Sequence, residues 1–288
     1  MEGVVKVYKP ILATSTECVE EVKKALGVRK AGHSGTLDPH AEGLLLICLN
    51  SSTKLIPYLL NLDKEYIGEA ILGIKTNTGD RGGVVIESNL NRKISYDSLL
   101  EAIQDFKGKI KQIPPLYSAI KVKGKRLYEY AREGIDDVEL VPREVTVYDF
   151  DVLYLIDENI QKFGFRIRCS KGTYVRRIIE DLGERLGCGA FLSKLRRIKI
   201  GPFDLEDSVK PWDKERLNQA ILSNEEVVKK IMPVVEITPE EESKISRGIS
   251  IKSRFPLEGE VGLFLNKTLV AIAEGKDGVI KPLRVFKT

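Results

Sequence analysis

Asp38 is the residue of this 288-residue chain most clearly placed to do chemistry. It sits in Ala31-Gly32-His33-Ser34-Gly35-Thr36-Leu37-Asp38-Pro39-His40-Ala41-Glu42-Gly43, a stretch with three glycines and a proline. Glycine permits backbone conformations closed to other residues, and proline stops a helix or strand from running through, so the stretch reads as a tight connection. Directly after it, Leu44-Leu45-Leu46-Ile47-Cys48-Leu49 is a continuous apolar run, the pattern of a strand buried on both faces. A carboxylate on a loop mounted this way can serve as nucleophile or general base. The alternative is an Asp-Pro turn whose carboxylate only hydrogen-bonds its own backbone.

The elements that must hold this loop are readable from periodicity. Thr14 and Glu17 form a capping box ahead of Val19, Val22, Ala25 and Leu26 at helical spacing, with Gly27 closing the helix. Lys64 to Leu72 predicts a strand with Tyr66 and Leu72 on one face, and Leu99, Leu100, Ile103 and Phe106 predict a helix over Ser95 to Phe106. Between them Thr76 to Gly83 is a polar, glycine-rich connection. A long strand or strand pair occupies Glu144 to Ile156. In Lys162 to Cys169, Phe163, Phe165, Ile167 and Cys169 alternate with Lys162, Gly164, Arg166 and Arg168, the clearest strand of the chain. Ser170-Lys171-Gly172-Thr173-Tyr174 then turns into a helix bearing Val175, Ile178, Ile179, Leu182 and Leu186. A helical, charged stretch from Trp212 to Lys230 follows. Short strands at Val261 to Leu265, Thr268 to Ala273 and Val279 to Phe286 make a small C-terminal β domain. Strands and helices do not alternate regularly, so the expected class is α+β, a mainly antiparallel mixed sheet flanked by helices.

Composition narrows the function. An apolar fraction of 42% and a charged fraction of 31% describe a soluble globular protein. No apolar run is long enough to span a bilayer and Met1-Glu2-Gly3-Val4 opens no signal-peptide pattern, so no membrane role and a cytoplasmic location are expected. Cys18, Cys48, Cys169 and Cys188 lack paired-ligand spacing, so no metal is expected; without a dinucleotide fingerprint or phosphate loop, no cofactor is expected either. The formal charge of +4 is mild, but basic residues bunch in Lys121-Val122-Lys123-Gly124-Lys125-Arg126, in Arg176-Arg177 and in Arg196-Arg197-Ile198-Lys199. Local patches of this kind suit a phosphate backbone, or are solvated surface faces.

Taken in order, several motifs resemble the bacterial tRNA pseudouridine-55 synthases, the TruB family of pseudouridine synthases. They are Lys9-Pro10 with Thr14-Ser15, Gly32 to Pro39, Lys64-Glu65-Tyr66, Thr76-Asn77-Thr78-Gly79-Asp80 and Pro114 to Lys121. Gly124 to Arg132, Ser170 to Arg176 and Leu195-Arg196-Arg197 complete the set, which spans nearly the whole chain. One departure stands out: the family usually has glycine two residues after the lysine-proline pair, where this chain has Leu12.

The resemblance implies a pseudouridine synthase catalytic domain over 1–231, with an RNA-clamping insertion at about 114–143, and a small RNA-binding, PUA-like β domain over 232–288. It implies isomerisation of a flipped-out uridine at position 55 in the T-loop of tRNA, with Asp38 as the catalytic residue. That carboxylate acts on the ribose C1′, adds to uracil C6, or takes a ribose proton; the sequence leaves all three open. Arg176 pairs with Asp38, Tyr66 stacks on the base, and Tyr174 and Leu195 wall the pocket. Lys9 supports its floor and His33 fills the space that the flipped base vacates. Lys121, Lys123, Lys125, Arg126 and Arg132 of the insertion, with Arg196 and Arg197, are the expected RNA contacts. The expected partner is the tRNA T-arm, met by a monomer without guide RNA. Two alternatives are a guide-RNA-dependent synthase and an RNA-binding protein on the same scaffold with little turnover.

Overall fold

The structure is a computed structural model that describes residues 1–118, 120–122, 124–135, 137–157 and 161–286. Strand β1 (Gly3–Lys9) leads to helix α1 (Ser15–Leu26). The predicted capping box is present: the Thr14 hydroxyl accepts from the Glu17 N–H, the Glu17 carboxylate accepts from the Thr14 N–H, and Gly27 ends the helix at φ +64°. Strands β2 (Ala31–His33) and β3 (Ala41–Leu49) bracket the Asp38 loop, and β3 is buried from Leu44 to Leu49. A 3-10 turn (Asn50–Leu55) and α2 (Ile56–Asn61) deliver the chain to β4 (Lys64–Leu72). The hairpin β5 (Ile74–Thr76) and β6 (Val85–Ser88), helix α3 (Tyr96–Gln104) and edge strand β7 (Gly108–Gln112) precede the insertion. Within the insertion β8 (Lys121–Val122) pairs with β9 (Lys125–Arg126), and α4 (Leu127–Arg132) follows.

Strands β10 (Arg143–Asp157) and β11 (Lys162–Cys169), helix α5 (Val175–Arg185), β12 (Ala190–Ile200) and β13 (Phe203–Asp204) return the chain through the sheet. Helix α6 (Lys214–Gln219), β14 (Ile221–Leu222) and α7 (Asn224–Ile231) follow. The ten-stranded sheet runs β14-β1-β3-β12-β4-β11-β10-β7, with β2 beside β3 and β13 beside β12. Its strands pair antiparallel except β3 with β12, which makes it the expected mixed, mainly antiparallel sheet. The charged stretch from Trp212 to Lys230 is not one helix. Ser223 and Glu226 form a second capping box that starts α7 afresh, and Ile221 and Leu222 pair with β1 instead. Among the described residues no helix is long and apolar enough to cross a membrane.

Strand β15 (Val234–Glu236), helix α8 (Pro239–Ile245) and strands β16 (Ile251–Lys252), β17 (Gly259–Leu265), β18 (Thr268–Lys276) and β19 (Val279–Val285) build a second sheet. Its order is β15-β17-β18-β19-β16. Val227 and Val228 of α7 share one apolar cluster with Leu44 and Leu46 of the large sheet and with Phe264, Leu269 and Ile272 of the small one. The two sheets are thus joined by a common core.

The half of the molecule that carries the Asp38 loop is organised by α5. Val175, Ile178, Ile179 and Leu182 pack on Tyr66, Ala70, Phe163, Phe165 and Ile167, so the helix lies over the centre of the sheet with its N-terminus toward the Asp38 loop. Gly183 permits the close approach: a Cβ there would run into the backbone of Gly189 and Ala190. Helix propensity alone would make Gly183→Ala stabilising by about 1 kcal/mol. Overpacking against backbone that cannot yield costs about 1–3 kcal/mol and reverses the sign. Thermal unfolding of Gly183→Ala is therefore expected roughly 2–5 °C below the wild type; a higher melting temperature would contradict this packing.

Candidate active site

Asp38 is fixed by its neighbours' backbones before its own carboxylate makes any contact. The Ser15 hydroxyl accepts from the Leu37 N–H at 2.9 Å and donates to the Leu37 carbonyl at 3.2 Å. Lys9, fully buried, donates to the carbonyls of Ala41 at 2.6 Å, Pro10 at 3.1 Å and Pro39 at 3.5 Å. Arg197, 1% exposed, donates to Leu44 O at 2.8 Å, Gly35 O at 3.0 Å and Thr36 O at 3.5 Å. Irregular backbone has no ladder to satisfy it, and these buried donors supply the missing partners. Gly43 closes the loop at φ +108°, where any Cβ would meet the backbone of Arg197 as β3 begins to pair with β12.

Leu12 adds one more tie, its N–H donating to Pro39 O at 2.7 Å. It does so at φ +71°, the left-handed conformation that favours glycine. The exposed Leu12 thus adopts the conformation itself.

Arg176, in the first turn of α5 and 4% exposed, reaches the loop from the opposite side. Its Nη2 donates to Asp38 Oδ2 at 2.7 Å and to the Tyr117 carbonyl at 3.1 Å, while Nη1 donates to the Thr78 carbonyl at 2.9 Å. Its Nε lies 3.8 Å from Asp80 Oδ2. Asp80 is itself ordered, its Oδ1 accepting from the Thr78 hydroxyl at 2.8 Å and the Gly82 N–H at 2.9 Å. One guanidinium thus gathers the Asp38 loop, the Thr78–Asp80 loop and the root of the insertion.

The Asp38 side chain, 36% exposed, faces a cavity of about 350 Å³ that Tyr66, Tyr174, Leu195 and Lys64 also line. Burial pushes the phenols of Tyr66 and Tyr174 above their ordinary value, so both stay protonated at neutral pH. A second cleft of about 870 Å³ opens on the other side of Asp38 and Arg176, lined among others by His33, Asp80, Lys121, Arg126 and Tyr128. His33 Nδ1 accepts from the Gly35 N–H at 3.3 Å. Burial, then the Arg197 charge, hold its pKa below the ordinary value, so the imidazole is neutral and carries its proton on Nε2. Among the described residues no cluster of three or more histidine, cysteine or acidic side chains could hold a metal.

The expected site residues Asp38, Tyr66, Tyr174, Arg176 and Leu195 share the smaller cavity, His33 lines the neighbouring cleft, and Lys9 lies beneath the loop. Lys121 and Arg126 line the cleft as well; Lys125 is ion-paired with Glu133 and half-covered. Arg196 pairs with Glu42 at 2.6 Å and stays 44% exposed. Lys123 and the Arg132 side chain lie outside the described residues. Arg197 differs from the expectation of an exposed contact: its guanidinium is 1% exposed, bound to loop carbonyls, and stands in the wall of the Asp38 cavity, not in an outer basic patch. Charge type drew attention to it, and only burial tells a strut from a patch. Asp80, Ser15 and Lys64 join the site although only their places in the motifs Thr76 to Asp80, Thr14-Ser15 and Lys64-Glu65-Tyr66 point to them. Lys64 caps the end of α2, donating to Leu60 O at 2.6 Å and Leu62 O at 2.5 Å.

The fold is that of a pseudouridine synthase. A chain in the crystal structure of a Cbf5–Nop10–Gar1 complex superposes with a TM-score of 0.74 at 26% identity, covering 99% of this chain and 85% of that one. Residues 23–175 match the model of the TruB family pseudouridylate synthase N-terminal domain, and residues 176–236 match that of the tRNA pseudouridylate synthase B C-terminal domain. The tRNA pseudouridine synthase B of Geobacillus thermodenitrificans is 39% identical over 309 residues, covering 100% of both chains. That of Caldanaerobacter subterraneus subsp. tengcongensis is 37% identical over 294 residues, covering 99% of each. The chain belongs to the TruB family of pseudouridylate synthases, and it is an enzyme.

Burial lowers the Lys9 pKa from 10.5 to about 8. An unfolded chain then binds more protons at this site than the folded one between those two values, so stability from this group rises with pH across the window. The free-energy gap between wild type and Lys9→Met should widen in favour of the wild type from pH 8 to pH 10, by about 1–2 kcal/mol in denaturant titrations. A gap that stays flat would contradict the depressed value.

Proposed function

We propose that this enzyme converts uridine 55 in the T-loop of tRNA to pseudouridine, as a cytoplasmic monomer without guide RNA, with the Asp38 carboxylate as its nucleophile. The observation that carries the reading is the 2.7 Å pair between Asp38 and a nearly buried Arg176 beside a cavity walled by Tyr66, Tyr174 and Leu195. The reaction breaks the N1–C1′ bond, turns the freed uracil, joins C5 to C1′ and removes the C5 proton. It needs no electron carrier, phosphate or added group, and all its atoms come from the substrate.

Arg176 holds the carboxylate aimed through their 2.7 Å hydrogen bond, and an opposite charge at that distance offsets the desolvation a substrate brings. Tyr66 offers its ring to the uracil plane, and Tyr174 and Leu195 confine the base and keep out water. A uridine inside a folded loop must leave its stack to reach Asp38, at a cost of a few kcal/mol. His33, neutral and with an Nε2 donor, occupies the vacated space. Splayed bases and loop shape are what a protein can read in RNA. Lys121, Arg126 and Tyr128 of the insertion bring charge and an aromatic face to the cleft beside Asp38, a grip built into the chain itself, which supports guide-independent action. Residues 232–288 act as the PUA-like unit that holds the tRNA away from the active site.

The test is tritium release from a T-arm stem-loop labelled at uridine C5. Wild-type protein alone should release it from position 55, whereas Asp38→Asn should lose at least about 10³-fold in rate while binding the RNA within a few-fold. Release that requires an added RNA or protein, or that survives Asp38→Asn, would refute the reading.

A further inference from the structure

Gln112 is the last residue of edge strand β7, paired with Arg143 of β10, and after it the chain leaves the sheet through Ile113-Pro114-Pro115 into the insertion. It is 3% exposed, and both ends of its side-chain amide meet one residue. Oε1 accepts from the Tyr174 N–H at 2.8 Å, and Nε2 donates to the Tyr174 carbonyl at 3.0 Å. A side chain here makes the reciprocal pair that a neighbouring strand would make, on the outer side of a strand that has no further neighbour in the sheet. An apolar side chain of equal length would fill the space without the penalty of burying a primary amide. What the amide adds is direction.

The residue it grips governs the site. Tyr174 is the N-cap of α5, no side chain caps that end, and its own ring lines the cavity. Two residues on stands Arg176. The segment that follows Gln112 closes on the same turn, the Tyr117 carbonyl accepting from Arg176 Nη2 at 3.1 Å. The position of Asp38's partner therefore depends on where the N-cap of α5 is held, and the Gln112 amide grips that N-cap while Val175, Ile178 and Ile179 seat the rest of the helix on the sheet.

We propose that Gln112 is a positioning residue of the reaction: its amide clamps the Tyr174 backbone, and so sets the bearing of Arg176 and of the Tyr174 ring on the Asp38 site. The proposal rests on the roles given above to Asp38 and Arg176. Misplacement of a reacting group by about 1 Å can lower a rate about 100-fold without touching the substrate's other contacts. Gln112→Met keeps length and volume and removes both hydrogen bonds; Gln112→Glu keeps an acceptor for the Tyr174 N–H and loses the donor. Val145→Ala, a buried neighbour on β10 paired with Ile110 of β7, serves as a control for loss of stability alone.

Single-turnover tritium release, stem-loop affinity and amide hydrogen exchange are measured on all four proteins. Gln112→Met should slow release roughly 10- to 100-fold with affinity within about 3-fold of wild type, and should speed exchange at Tyr174 and in the first turn of α5. Gln112→Glu should fall between it and the wild type, and Val145→Ala, assayed below its melting point, should keep the wild-type rate. Release by Gln112→Met within about 3-fold of wild type would overturn the proposal, as would an equal loss in Val145→Ala or a loss that lies wholly in affinity. A wild type that releases no tritium would instead overturn the assigned function. In that case unchanged exchange at Tyr174 in Gln112→Met would still overturn the clamp, and faster exchange would sustain it.

Discussion

A nearly buried guanidinium is the constraint on which the rest depends. Taking a charge out of water costs several kcal/mol unless it is paired and its donors are satisfied. Arg176 meets most of that demand by drawing partners from separate segments: the carboxylate of Asp38 and the carbonyls of Thr78 and Tyr117, while its Nε, without a hydrogen bond, lies 3.8 Å from the Asp80 carboxylate. Each segment is an irregular connection that the sheet alone would not bring together. The charge on α5 makes their meeting point specific, and the packing of Val175, Ile178 and Ile179 seats the helix that carries it on the sheet.

Around this pair the molecule uses cations as struts. Lys9, Lys64 and Arg197 are buried, and each points its donors at backbone carbonyls of the connections that border the cavity. Burial lowers both lysines to about 8, so they remain largely charged at neutral pH. Fixed positive charge thus stands below and beside the Asp38 loop. It suits, on the reading proposed here, the polyanion that must approach that loop. The other face of the same sheet solves a different problem: Glu65 and Glu69 on β4 pair across strands with Arg166, Lys162 and Lys194, which satisfies their charge.

Much of this was legible before any coordinates. The apolar run of β3, the capping box of α1, the alternation of β11 and the helical spacing of α5 each carry a period that survives tertiary context, and they bracket the loops where the site residues stand. The central strand β12 went unseen. Its pairing with β4 is broken by bulges between Leu192 and Lys194 and between Arg197 and Lys199, so its side chains lose the strict period of two, and its lysines and arginines look like surface. The same disguise made Arg197 look like an RNA contact. Burial is a property of the assembled sheet, and no local pattern encodes it. Leu12 shows the converse: a residue type that gives no sign of a left-handed turn makes one, its N–H bonded to the Pro39 carbonyl at a φ that leucine seldom adopts.

Replacing Arg176 with lysine tests most directly whether the forked geometry of the guanidinium, and not its charge alone, organises the site. Lysine keeps the positive charge but cannot serve Asp38, Thr78 and Tyr117 from one rigid plane. Single-turnover pseudouridine formation on a T-arm stem-loop should fall at least about 100-fold in Arg176→Lys, with RNA affinity within a few-fold of wild type. A rate close to that of the wild type would contradict the account, because a point charge beside Asp38 would then suffice.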